Sequence, residues 1–172
     1  FHRPEVPPLI LKIKEYFLDL ELNNEYDRAL FEQLVNTPLS LLPDIPLIEK
    51  ILSYPHIEGP ILDVGCGIGL NTIEFAKRGK RIIGIDPSPI AISIARKFLV
   101  EENIEVQQLV EFICGDVSGV PSRSNAVQSV LFINSIDFIG AHDRVFNGVK
   151  SWIKALGSVL FVVPIYNKYR LQ

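Results

Sequence analysis

The sequence predicts an α/β protein: an open, mostly parallel sheet with helices on both faces, preceded by a helical N-terminal segment. Three observations predict it. From residue 60 onward, apolar runs of strand length alternate with segments whose apolar residues recur at helical spacing, the pattern from which parallel sheets are built. The run over 127–134 is mostly apolar, with Val130-Leu131-Phe132-Ile133 unbroken, as expected of a strand covered on both faces. Between the first run and the helix after it, Gly65, Gly67 and Gly69 stand at alternate positions, which marks a strand-turn-helix unit.

Composition bounds the rest. The 172 residues are 48% hydrophobic and 22% charged, enough to bury the core of one globular domain. A net charge of −3 gives no global basic field to draw nucleic acid by counterion release, although a local patch stays open. No apolar run approaches the span of a bilayer and no signal peptide is visible, so a soluble, cytoplasmic protein is expected, with no membrane partner. The two cysteines, Cys66 and Cys114, lack histidines at ligand spacing; no metal site is expected, and free thiols fit a reducing compartment. The sequence has no methionine and starts at Phe1, which suggests a processed fragment or an incomplete chain.

Residues 1–58 are expected to form a helical cap or lid, and residues 59–172 the sheet domain, possibly truncated at its C-terminus. In the first part, prolines punctuate helices predicted over 9–22, 25–35 and 46–53. Tyr26, Leu30 and Leu34 fall on one face of the second helix and should be buried. Tyr16, Tyr26 and Arg28 are candidates to face a substrate.

Gly59-Pro60 ends this prelude, and strand 61–64 leads into the glycine turn. Glycines suit such a turn because the backbone must take left-handed dihedrals and because a missing Cβ lets a ligand reach main-chain N–H groups. The helix 71–78 closes at Gly79, strand 81–86 ends at Asp86, and Ser88 caps a helix to residue 100 with Pro89 at its first position. A third strand over 109–114 ends at Gly115-Asp116-Val117, and a fourth over 127–134 ends at Asn134-Ser135-Ile136-Asp137-Phe138. The last helix carries Phe146, Val149, Trp152, Ile153 and Leu156 and stops at Gly157, before a fifth strand over 158–163. His142, in the loop that opens this helix, is a candidate general base for a hydroxyl acceptor.

Spacing decides which ligand the turn suits. The dinucleotide fingerprint G-x-G-x-x-G needs its third glycine where this chain has Leu70, which argues against a nicotinamide dinucleotide. The pattern Asp63-x-Gly65-x-Gly67-x-Gly69 instead resembles the first motif of the class I S-adenosylmethionine-dependent methyltransferases, a Rossmann-like fold. Asp86, about twenty residues after the first glycine, stands where such a sheet presents a carboxylate to ribose hydroxyls.

The resemblance implies S-adenosyl-L-methionine as cofactor, with Asp63, Gly65, Cys66, Gly67 and Gly69 near its methionine portion. It implies that Asp86 meets the ribose and Pro87 and Ser88 line the edge of the adenosine site. It also implies that Asp116 accepts from the adenine amine, that Val117 packs near the ring, and that Asn134 lies near the transferred methyl. The Asn-Pro-Pro-Tyr of many amino-group methyltransferases is absent after the fourth strand, which lowers nucleic acid as acceptor and favours a small molecule. The catalytic residues are not identified. The strands with which the family usually finishes are also missing, which would leave the fifth strand an apolar edge. A missing C-terminal portion, an N-terminal helix or a second subunit, as in a homodimer, is expected to cover it. The alternative function is a non-catalytic domain that binds the donor as a regulator or subunit.

Overall fold

The computed structural model describes residues 7–18, 20–121, 123–136 and 142–163, and of His142 the backbone alone. In chain order the helices are α1 (Pro8–Phe17), α2 (Glu25–Asn36), α3 (Ile45–Leu52), α4 (Leu70–Lys77), α5 (Pro89–Val100), α6 (Ile104–Gln107) and α7 (His142–Trp152). A short 3₁₀ turn, Pro38–Leu41, lies between α2 and α3. The strands are β1 (Ile61–Val64), β2 (Ile82–Asp86), β3 (Val110–Cys114), β4 (Val127–Ile133) and β5 (Ile153–Val162).

The five strands form one sheet in the order β3-β2-β1-β4-β5, every neighbouring pair parallel. The chain runs outward from β1 to β3, then returns to the other side of β1. Right-handed crossovers in opposite directions place their helices on opposite faces. Accordingly Ile61, Ile82, Leu131 and Ile133 pack with α4, α5 and the N-terminal helices, whereas Leu62, Val64, Ile83, Ile85, Val130 and Phe132 pack with Val145, Val149 and Trp152 of α7. The reversal makes the crevice at the carboxyl ends of β1 and β4 the switch point at which ligands bind in open parallel sheets.

The expected fold is the one observed. Three local expectations give way. The first helix is shorter than expected, ending at Phe17. On α2, Leu30 and Leu34 are buried as expected but Tyr26 is 41% exposed; the face turned inward carries Asp27, 2% exposed. The last helix ends at Trp152, and Ile153 already pairs with Val127 as the start of β5. Ile153 and Leu156, three apart, fit a helical repeat and would face opposite sides of a strand, but the ladder to β4 overrides the repeat. The register then shifts, so that Ser129 faces Ser158, and Leu156 takes φ 63° in full solvent exposure. Gly157 serves this bulge rather than a helix end: a Cβ there would stand 2.5 Å from Ile153 Cγ1 and 2.7 Å from the Gln128 carbonyl oxygen.

At the end of the sheet, Val159, Phe161 and Val163 of the β5 segment are each more than 40% exposed. Phe161 stacks on Phe132 at 4.8 Å and meets Phe146 edge-on. Helices α1 to α3 belong to the opposite cluster, so among the described residues the N-terminal helices are not the cover expected for Val159 and Phe161.

Candidate functional site

The site is built from the carboxyl ends of β1, β2, β3 and β4. Asp63 is the one polar residue of β1, and alternation turns it to the α4 face, where it is 2% exposed. Its Oδ2 accepts a 2.6 Å hydrogen bond from the Thr72 hydroxyl, which pins the first turn of α4 to the end of β1. Burial pushes its pKa from 3.8 to about 6, the Thr72 hydroxyl opposes the rise, and the Asp86 charge adds to it.

The turn itself differs from expectation. Four of its main-chain N–H groups are engaged within the protein: those of Gly65 and Cys66 donate to the Ile85 carbonyl (2.8 and 3.1 Å), that of Gly69 to the Cys66 carbonyl (3.0 Å), and that of Gly67 to Asp86 Oδ2 (2.8 Å). What the turn offers is space. At Gly67, φ is 55° and, among the described residues, no atom lies within 4 Å of the place a Cβ would occupy, so the surface they leave there is bare backbone. Gly69, at φ 75°, is by contrast packed: a Cβ would stand 2.5 Å from Phe112 Cζ and 2.8 Å from Ala95 Cβ. Gly65 backs onto Ser135, whose hydroxyl donates to the Val64 carbonyl (2.6 Å), and this joins the ends of β1 and β4. Among the described residues no side chain caps the N-terminus of α4, leaving first-turn N–H groups and the positive end of the helix dipole beside the turn.

Asp86 ends β2 with both oxygens held. Oδ2 accepts from the Gly67 N–H, and Oδ1 from the Ser88 N–H at 2.9 Å. Each carboxylate oxygen has a second lone pair, so the half-buried group keeps acceptor capacity for two hydroxyls. Burial raises its pKa, the two N–H groups oppose the rise, and the charge of Asp27 adds to it. Ser88 caps α5 through the Ala91 N–H, with Pro89 at the first helical position, as the sequence implied.

The neighbouring strand ends bring in the remaining candidates. Asp86 is level with Cys114, and the Gly115 N–H donates to the Asp86 carbonyl, so the Gly115-Asp116-Val117 turn sits beside Asp86. Asp116 is exposed; its Oδ1 accepts from the N–H and the hydroxyl of Ser118, a turn-forming role. The Val117 side chain lies in the core on the α7 side of the sheet, which leaves its main chain for the site. Asn134 is exposed at φ 52°, its N–H donating to the Val162 carbonyl (2.8 Å). Cys66 packs beneath the turn against β2, where a Cβ on Gly84 would stand 2.9 Å from its sulfur, and burial raises its thiol pKa well above the usual value. Such a thiol is protonated at neutral pH and is no nucleophile.

A protein-family profile described as "Methyltransferase domain" matches residues 61–157, more than half of the chain and the whole of this strand-end site. The chain belongs to that family. The methyltransferase domain is 34% identical over 101 residues to an 18S rRNA (guanine-N(7))-methyltransferase of Schizosaccharomyces pombe, covering 58% of this chain and 35% of the relative. It is 28% identical over 144 residues to a probable S-adenosylmethionine-dependent methyltransferase of Saccharomyces cerevisiae, covering 81% of this chain and 46% of the relative. It shares the fold of the glycopeptide N-methyltransferase MtfA solved with S-adenosyl-L-methionine, with a TM-score of 0.61 at 20% identity, over 70% of this chain and 54% of that one. The methyltransferase domain thus spans about a quarter to a half of the length of the curated relatives it matches. The resemblance to the S-adenosylmethionine-dependent methyltransferases carried by the Asp63 to Gly69 motif is borne out.

Of the other candidates, Tyr16 donates from its hydroxyl to Glu101, the residue that follows α5, and serves to dock α1; Tyr26 and Arg28 are exposed. The His142 side chain, Asp137, Phe138 and Ala141 lie outside the described residues. Among those described, no three His, Cys, Asp or Glu residues group to hold a metal ion, and no helix is long and apolar enough to cross a membrane. Two contributors escaped the sequence reading. Thr72 could have been suspected as the hydroxyl a buried Asp63 needs; Asp27, 61 residues from its partner, gave no local signal.

Proposed function

We propose that the chain is the donor-binding portion of an S-adenosyl-L-methionine-dependent methyltransferase acting on a small-molecule acceptor. The observation that carries the donor reading is Asp86, held by the Gly67 and Ser88 N–H groups with spare lone pairs beside the open backbone of Gly67. The residues present fit the donor. Asp86 would accept from the ribose hydroxyls, with Pro87 at the edge of the nucleoside. Asp116 and the main chain of Val117 would meet the adenine, Asp116 through acceptor capacity beyond its bonds from Ser118. The Asp63 to Gly69 turn, with Cys66 beneath it, and the free N-terminus of α4 would receive the methionine portion, and Asn134 would lie toward the reacting methyl.

The donor, when bound, supplies an already activated methyl group on a sulfonium. The chain's own residues then have little chemistry to perform beyond alignment and the exclusion of water, with a base needed only where the acceptor must lose a proton. Asp63 holds the turn through Thr72 and adds a buried negative charge beneath a cationic ligand. This division of labour accounts for a readable binding motif without a readable catalytic triad.

For the acceptor, the absence of Asn-Pro-Pro-Tyr after β4 and the net charge of −3 favour a small molecule. The 34% identity to an rRNA methyltransferase favours RNA as the second reading. Calorimetric titration with S-adenosylhomocysteine tests the donor site; absence of binding refutes it. Transfer of labelled methyl to small amines and alcohols, against transfer to rRNA, distinguishes the acceptors. Donor binding without transfer to any of them would favour a regulatory or subunit domain.

A further inference from the structure

The donor reading uses Asp86 but leaves unexplained a second buried carboxylate behind it. Asp27 of α2 is 2% exposed. Its Oδ1 accepts a 2.6 Å hydrogen bond from the Ser88 hydroxyl and a 3.3 Å bond from the Ile90 N–H in the first turn of α5. Ser88 is the residue whose own N–H holds Asp86 Oδ1, and its hydroxyl also caps α5 by accepting from the Ala91 N–H. A hydrogen-bonded chain therefore runs from Asp27 through Ser88 to Asp86. It fixes the loop between β2 and α5 from outside the sheet.

Burying a carboxylate without pairing it to a cation is expensive, and stability alone would be served as well by an apolar residue at this position of α2. A second anion close to Asp86 also raises the pKa of the group meant to meet the ribose. Nothing in the packing of α2 requires it, since Leu30 and Leu34 already bury that face against the core. The N-terminal helices have separate anchors at the far end of α5, where Lys12 and Tyr16 both donate to Glu101. What Asp27 alone supplies is a fixed position for Ser88 and Ile90.

We propose that Asp27 is a positioning residue of the donor site: by fixing Ser88 from the N-terminal segment it orients Asp86 for the donor's ribose. The N-terminal helices are thereby part of the donor site rather than only a cover for the sheet. This inference rests on the donor reading above.

The test compares S-adenosylhomocysteine with its 2′-deoxy analogue by calorimetry on the wild-type chain, Asp27→Ala, Asp27→Asn and Glu101→Gln. In Asp27→Ala we expect affinity for S-adenosylhomocysteine to fall roughly tenfold, the size of one lost hydrogen bond to a charged group, and preference over the deoxy analogue to shrink. Asp27→Asn keeps an acceptor oxygen and should recover most of both. Glu101→Gln, which loosens α1 at the other end of α5, should leave both unchanged. Unchanged binding in Asp27→Ala, or weaker binding with the ribose preference intact, overturns the proposal. Should Asp27→Ala fail to fold, Ser88→Ala removes the hydroxyl that Asp27 holds, and the same two losses are expected. Failure of the wild-type chain to bind S-adenosylhomocysteine would instead refute the donor reading itself.

Discussion

Replacing Asp63 with asparagine should stabilise the protein and weaken the donor site together. Asp63 is 2% exposed and has one hydroxyl donor, from Thr72, so its negative charge is poorly solvated. The pKa stands at about 6 in the folded chain against 3.8 for a free aspartate. Between these values the folded state binds more protons than the unfolded state, so stability falls as pH rises through that window and levels off above it. A displacement of about two units corresponds to roughly 3 kcal/mol of strain in the ionised state at neutral pH, an upper figure for a buried group. Asparagine has the same shape, can still accept from Thr72 through its amide oxygen, and carries no charge. Asp63→Asn should therefore gain about 1–3 kcal/mol at pH 7.5, and its stability should lose the slope between pH 4 and 6. Urea unfolding followed by circular dichroism from pH 4 to pH 8 measures both. A variant less stable than wild type at pH 7.5, with the wild-type slope preserved, would refute the reasoning. The same substitution should weaken binding of the cationic S-adenosylmethionine by removing the buried negative charge.

Asp86→Ala removes the acceptor for two backbone N–H groups and for the ribose, and should weaken S-adenosylhomocysteine binding by roughly 1–3 kcal/mol in a calorimetric titration; unchanged affinity would remove Asp86 from the site. The glycines separate stability from binding. Gly69→Ala forces a methyl to within 3 Å of Phe112 and Ala95 at a left-handed φ and should destabilise the fold by roughly 2–5 kcal/mol in urea unfolding. Gly67→Ala meets no atom among the described residues, so it should lower stability by only about 1–2 kcal/mol while a larger loss appears in donor binding. Binding of wild-type protein to S-adenosylmethionine should strengthen as pH rises from 5 to 7, because a cation favours the ionised forms of Asp63 and Asp86, whose pKa values burial has raised; a flat profile by calorimetry would contradict this.

The residues legible in advance were those whose role is fixed by neighbours in sequence. Asp63, the glycines and Asp86 lie in one strand-turn-helix-strand run, where strand alternation, left-handed dihedrals and strand ends follow from local chemistry, and the structure places them at the carboxyl ends of β1 and β2. The limits of β5 were not legible, because Ile153 and Leu156 continue the helical repeat of α7 until β4 is present to pair with Ile153.

By itself, the sequence determined the fold class, the strand ends and the acids that stand on them, because backbone preference and apolar periodicity act over a few residues. Only the tertiary structure decided that the N–H groups of Gly65, Cys66, Gly67 and Gly69 are used within the protein, that the open space lies at Gly67, and that α2 turns Asp27 inward instead of Tyr26. Those outcomes depend on partners brought close by folding, Ile85 and Asp86 for the turn and Ser88 for Asp27. A hydrogen bond across 61 residues leaves no periodicity in the chain from which it could be read.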